Sequence, residues 1–152
     1  MIFNFVCNYE AFKNGNPALV KQEILIGTQI GLANNKTVKW IIEVAALTDK
    51  DIIQLSALIK NVVISNFKEE NYNSVFVKSS TGFFKTENDF PNGATIPTII
   101  MMLENASPLP VKAAGGVRSY DEAIEMIRLG VKRIGTSAAK IIANGENTTN
   151  QY

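Results

Sequence analysis

The sequence predicts an α/β fold built on a parallel sheet. Two observations carry this. Short apolar runs alternate with longer amphipathic segments five times over, and no linker or low-complexity tract interrupts the series. A chain of 152 residues suits one domain with a real core. That domain is taken as residues 1–152, with 145–152 a polar tail expected to fray.

The elements follow in order. IFNFVCNY is the first strand. NPALVKQEILIGTQIGLA reads as a helix, with Asn16 as N-cap, Pro17 at the first helical position, and Leu19, Val20, Ile24 and Ile30 as its apolar face. VKWIIEVAA is a nearly continuous apolar run and a second strand. TDKDIIQLSALIKNVV opens on the cap candidate Thr48 and carries Ile52, Leu55 and Ile59 on one face. VFVKSS is the third strand, and ATIPTIIMMLENA a helix broken early by Pro97. LPVKAAGG is the fourth strand. In SYDEAIEMIRLG, Ser119 caps, Glu122 completes a capping box and Gly130 closes the helix. KRIGTSAAKIIANG is a last strand running into a last helix.

Composition narrows the function classes. Lys and Arg total 15 against 14 Asp and Glu, without runs of like charge, which argues against a nucleic-acid or membrane-surface protein. The single cysteine, Cys7, excludes an internal disulfide and fits a reducing cytoplasm. No apolar stretch reaches the roughly 18 residues of a membrane-spanning helix, and the first residues do not read as a signal peptide. Histidine is absent, so His-based nucleophile schemes and the usual zinc sites are excluded. Acid–base chemistry near neutral pH then falls to Lys, Asp, Glu, Tyr or Cys with a shifted pKa.

Parallel α/β sheets close in two usual ways. A (β/α)8 barrel needs at least about 200 residues, so length favours a doubly wound sheet. The strand ends point the other way. Three of them, FVKSSTG, PVKAAGGVR and RIGTSAAK, carry residues suited to chemistry, and strand C-termini hold the active site in both architectures. Lys78 and Lys112 each sit near the end of an apolar strand. If both point into one pocket, burial and mutual repulsion depress a lysine pKa, and a neutral lysine attacks carbonyl carbon. The same positions also suit lysines that snorkel out of strand ends, and position alone does not separate the two. Gly115 and Gly116 stand before the Ser119-capped helix, and Gly135, Thr136 and Ser137 at the entrance of the last one. Glycines at helix entrances let backbone N–H groups approach an anion such as phosphate. Lys39 and Glu43 share a face with Ile41 and read as an ion pair lining the barrel or the pocket, a structural pair inside the lining being favoured. Cys7 is read as a small hydrophobe and Trp40 as a core or helix-facing anchor.

Taken together, VFVKSSTGF, VKAAGGVRSYDEAIEMIRLGVKRIGTSAA, VKWIIEVAALTD and NYEAFKNGN resemble the deoxyribose-phosphate aldolases, class I aldolases, over nearly the whole chain from about residue 4. The resemblance implies a (β/α)8 (TIM) barrel, of which this chain supplies strands four to eight. It implies reversible cleavage of 2-deoxy-D-ribose 5-phosphate to D-glyceraldehyde 3-phosphate and acetaldehyde through a lysine Schiff base. Lys78 then matches the imine-forming lysine, and Lys112 the second lysine that depresses its pKa and joins the proton relay. Gly82, Gly115, Gly116, Val117, Arg118, Gly135, Thr136 and Ser137 match substrate- and phosphate-binding positions. No metal or organic cofactor is implied. The partner is a small sugar phosphate.

Three departures accompany the match. The first three βα units have no counterpart, which leads us to expect a shortened chain completed by a second copy or by a complementary N-terminal fragment. Asn4 stands where the family has a relay aspartate, and an amide cannot carry a proton at pH 7. Ala138 and Phe83 stand where some members have a serine and a lysine, and are expected to tune binding. The alternative is a catalytically impaired remnant that keeps the phosphate loops.

Overall fold

The computed structural model describes residues 1–146 apart from Asp89. Five parallel strands form one sheet: β1 (Ile2–Val6), β2 (Thr37–Ile41), β3 (Val75–Lys78), β4 (Val111–Ala114) and β5 (Arg133–Gly135). Their spatial order is the order of the chain, β1-β2-β3-β4-β5. A doubly wound sheet reverses direction at a switch point. Here each strand is laid down beside the last, as in the wall of a barrel, so the expectation from length is overturned. β1 and β5 are the two edges of this partial barrel.

Among the described residues, six helices connect or follow the strands: α1 (Tyr9–Lys13), α2 (Pro17–Ala33), α3 (Asp49–Asn66), α4 (Ile96–Ala106), α5 (Tyr120–Leu129) and α6 (Ala139–Ala143). Their ends are written in the sequence. Asn16 accepts from the Leu19 N–H with Pro17 just inside α2. Thr48 with Asp51 and Ser119 with Glu122 form capping boxes. Gly130 closes α5 at φ 111°, where an L side chain would be strained. Pro97 does not break α4. Thr95 caps the helix together with Thr98, so Pro97 falls in the first turn, where its missing N–H costs nothing. The short α1 and a 3-10 segment at Glu69–Ser74 have no apolar periodicity and were not expected from sequence.

The core lies between sheet and helices. Outward-facing Val38, Trp40, Ile42, Val75, Val77, Val111 and Ala113 meet Val20 and Ile24 of α2, Ile52, Leu55 and Ile59 of α3, and Ile99 and Met102 of α4. Trp40 stacks on Phe5 at 4.9 Å and donates its Nε1–H to Thr28 Oγ1 at 2.9 Å. It is the expected anchor. Burial of Cys7, with the Glu23 charge adding to it, pushes its thiol well above the ordinary range, which keeps it an inert hydrophobe. The face expected for α2 is corrected in part. Val20 and Ile24 are buried, but Leu19 and Ile30 are exposed, together with Ile26, Ile2 and Val6. These last three and Ile30 lie along the β1 edge, where no further βα unit covers them. Of the expected frayed tail, Gly145 and Glu146 are tied down, the Glu146 carbonyl accepting from the Tyr120 N–H at 3.2 Å. Residues 147–152 lie outside the described ones.

Candidate active site

Residues paired across parallel strands point to the same face. Ile41 pairs with Lys78, Lys78 with Lys112, and Lys112 with Arg133. One pair step back, Asn4 aligns with Lys39 and Lys39 with Phe76. Four cations therefore gather on the inner face, away from the helices. The Arg133 guanidinium lies over the Phe76 ring, 4.8 Å from its centroid, which holds this charge against an apolar floor. Lys112 extends over Gly135, where a Cβ would come within 2.8 Å of its Cε. Gly135 is thus needed to make room for the lysine.

The electrostatics follow. Burial lowers the pKa of Lys78, the Lys112 charge lowers it further, and the Glu43 carboxylate acts in the opposite direction. Lys39 is almost fully buried. Burial first, then the charges of Lys112 and Arg133, pull it down to about 8, with a Lys112 hydrogen bond and the Lys78 charge contributing. Two amines on this face are thus biased toward the neutral, nucleophilic or proton-accepting form.

Beside Lys78 and Lys112 opens a cavity of about 510 Å³, ample for a small phosphorylated sugar. Thr81, Gly82 and Phe83 from the loop after β3 wall it, with the glycine turn after β4 and the loop after β5 opposite. Gly115 and Gly116 have φ of 73° and 83°, a conformation that favours glycine. They also lie against the preceding loop, since a Cβ on Gly93 would sit 2.6 Å from the Gly115 backbone. Ala94 donates its N–H to the Gly115 carbonyl at 2.9 Å. Thr136 Oγ1 donates to the Val117 carbonyl at 2.6 Å and accepts from the Ala138 N–H at 2.9 Å, joining the last two loops.

Ten of the eleven residues singled out from sequence line this cavity: Lys78, Gly82, Lys112, Gly115, Gly116, Val117, Arg118, Gly135, Thr136 and Ser137. Asn4 does not. It is on the same face but lies on the exposed edge strand, separated from Lys78 by β2. Two local readings are corrected, at Val117 and at the Lys39–Glu43 pair. The side chain of Val117 is buried in the core, so the loop presents its backbone. The two serines after Lys78 serve the structure of the strand end. Ser79 Oγ donates to the Ala114 carbonyl at 2.8 Å, and its neighbour Ser80 is equally buried. Lys39 and Glu43 do not pair as expected: β2 ends at Ile41, and Glu43 turns into the left-handed region (φ 58°, ψ 67°) toward the loop after β3. Sequence reasoning therefore missed Lys39 as a fourth cation of the site and Glu43 as its loop-facing carboxylate. Period-2 counting from Lys78 and Phe76 across the strands would have found Lys39; nothing local signals the bend at Glu43.

Fold and site together define a class: part of a (β/α) barrel of the aldolase kind. A solved aldolase aligns with 94% of this chain at TM-score 0.73 and 28% identity, the match covering 57% of that protein. The deoxyribose-phosphate aldolase of Aeropyrum pernix aligns with 84% of the chain at TM-score 0.64 and 25% identity, over 49% of its own length. In sequence, the deoxyribose-phosphate aldolase of Streptococcus pneumoniae serotype 2 is 37% identical over 150 residues, 98% of this chain. The chain is thus similar in sequence to deoxyribose-phosphate aldolases, and it spans 60% of the length of the curated relatives it matches. No protein-family model matches it.

Proposed function

We propose that this chain is a Schiff-base aldolase that cleaves 2-deoxy-D-ribose 5-phosphate reversibly to D-glyceraldehyde 3-phosphate and acetaldehyde. The observation that carries the reading is Lys78: a strand-end lysine with a lowered pKa, beside Lys112, opening on a cavity walled by two glycine-rich loops. The neutral Lys78 amine attacks the sugar C1 carbonyl, water leaves, and the protonated imine draws the electrons of the breaking C2–C3 bond as the C3 hydroxyl gives up its proton. Burial first and then Lys112 lower the Lys78 pKa toward the neutral form, and Lys112 moves protons during imine formation and hydrolysis. Gly115, Gly116, Arg118 and Ser137 hold the phosphate through backbone N–H groups and side-chain charge. Gly82, Thr136 and the Val117 backbone shape the same pocket, with Phe83 at its mouth.

The test is borohydride trapping. The purified chain is incubated with deoxyribose 5-phosphate, reduced, digested and mapped by mass spectrometry. An adduct on Lys78 is expected. A cooperatively folded chain that gives no adduct would reject the reading and favour the alternative, an impaired remnant that binds sugar phosphate without turnover. Asn4 is the specific observation behind that alternative, since its amide stands where a relay carboxylate is expected and faces solvent on an open edge.

Exposed Ile2, Val6, Ile26 and Ile30 on the β1 side support a further part of the proposal. An uncovered parallel edge with apolar flanks calls for a partner, either a second copy of this chain or a complementary fragment with the missing βα units. Cytoplasmic action on a free sugar phosphate fits the balanced charge. Among the described residues, no helix is long and apolar enough to cross a membrane.

A further inference from the structure

Glu43 is a buried carboxylate in an unusual place. Its backbone is left-handed at φ 58°, which is uncommon for a residue with a side chain. The bend aims the carboxylate at the segment that follows Lys78. Ser80 Oγ lies 2.8 Å from Oε1. The Thr81 N–H is shared between Oε1 at 3.2 Å and Oε2 at 3.3 Å. Thr81 Oγ1 donates to Oε2 at 2.5 Å. Both hydroxyls then accept from the next turn, Ser80 Oγ from the Gly82 N–H at 2.8 Å and Thr81 Oγ1 from the Phe83 N–H at 3.1 Å. The carboxylate thus organises four consecutive residues that include one wall of the cavity.

Ser80 extends the connection. Its hydroxyl also lies 2.7 Å from the Asn92 carbonyl, but it has a single proton to donate. It can serve Glu43 or Asn92 at one moment, not both. Asn92 in turn donates its side-chain Nδ2 to the Gly82 carbonyl at 3.3 Å, closing the base of the loop.

We propose that Glu43 is a positioning residue of the site: its carboxylate holds residues 80–83 against the cavity, and its charge balances the cations that surround Lys78. This rests on the aldolase reading. Among the described residues, Lys112 on β4 and Lys39 on β2 are the cations that act on or with Lys78, Arg133 on β5 joins them on the same face, and Glu43 is the carboxylate that acts on Lys78. Without it, the cluster carries no counter-charge that acts on Lys78 among the described residues. The Glu43 carboxylate opposes the lowering of the Lys78 pKa by burial and by Lys112. A carboxylate that only braced the loop could be replaced by an amide without touching Lys78.

Two readouts that need no turnover test this. The first is the pH dependence of Lys78 acetylation by acetic anhydride, quantified by mass spectrometry. Glu43→Gln keeps the shape and removes the charge, and is expected to move the Lys78 midpoint down by about half a unit. An unmoved midpoint overturns the charge role and with it the proposal. The second is amide hydrogen exchange at Thr81 and Gly82. Glu43→Ala is expected to speed it about tenfold or more, and parent-like protection overturns the clamp. If Glu43→Ala fails to fold, Thr81→Val and Thr81→Ser decide: the valine variant should lose protection at Phe83 and the serine variant restore it, and no difference between them overturns the proposal. Borohydride trapping on the unsubstituted chain is run alongside. Its failure would remove the aldolase reading while leaving both Glu43 readouts interpretable.

Discussion

At the scale of single residues, the lysines carry the sharpest expectations. Lys78→Arg should abolish both imine trapping and cleavage, because a guanidinium stays protonated and forms no Schiff base. Cleavage at the parent rate would end the assignment. Lys112→Leu removes one of the causes that depress Lys78, so the Lys78 pKa should rise and the rate near pH 7 should fall. Burial, the larger cause, remains, so the shift is partial. A pH–rate profile that keeps its acid limb in place would take Lys112 out of this role. Lys39 makes a different prediction. Its folded pKa, about 8, lies below the ordinary lysine value of 10.5, so between these pH values the unfolded chain binds more protons than the folded one. Stability should therefore rise as pH increases from about 8 to about 10.5, and it is lowest with respect to this group below pH 8. Lys39→Met should flatten that rise and stabilise the chain at pH 7 by roughly 1–3 kcal/mol. Thermal unfolding followed at several pH values measures both.

At the scale of elements, the site is held by close approaches of backbone. Gly93 packs on the glycine turn after β4 so tightly that Gly93→Ala must separate the two loops, the clash being with backbone rather than a flexible side chain. We expect a stability loss of about 1–3 kcal/mol and weaker binding of deoxyribose 5-phosphate, read by calorimetry; unchanged binding would mean that the turn keeps its shape without this contact. Gly135→Ala works differently. Its Cβ would displace the Lys112 side chain, 2.8 Å from Cε, so activity should fall while the melting temperature changes little. The helix ends, by contrast, were legible in advance. Asn16, Thr48, Ser119 and Gly130 all act as their residue types dictate, because capping needs only hydrogen-bonding groups a few residues apart.

At the scale of the whole molecule, one hydrophobic core runs from α2 to α5 behind the sheet, so unfolding of the described part should be a single cooperative transition. The β1 side is the exception to this closure. If its apolar residues seat a second copy, sedimentation should show concentration-dependent association, and Ile30→Lys should suppress it without lowering stability, since Ile30 is already exposed. Association unaffected by that substitution would move the interface elsewhere.

Read by itself, the sequence determined the alternation of strands and helices and the caps, and it singled out ten residues that line one cavity, because these depend on periodicity and on motifs within a few residues of one another. It could not decide between a doubly wound sheet and a barrel wall, since strand order is a matter of which edges meet and the length pointed to the wrong one. Nor could it show that Glu43 leaves the strand face to clamp residues 80–83, or that Lys39 joins Lys78, Lys112 and Arg133. Those depend on register between strands far apart in the chain and on one left-handed residue. Only the tertiary structure brings such groups within hydrogen-bonding distance or into each other's field.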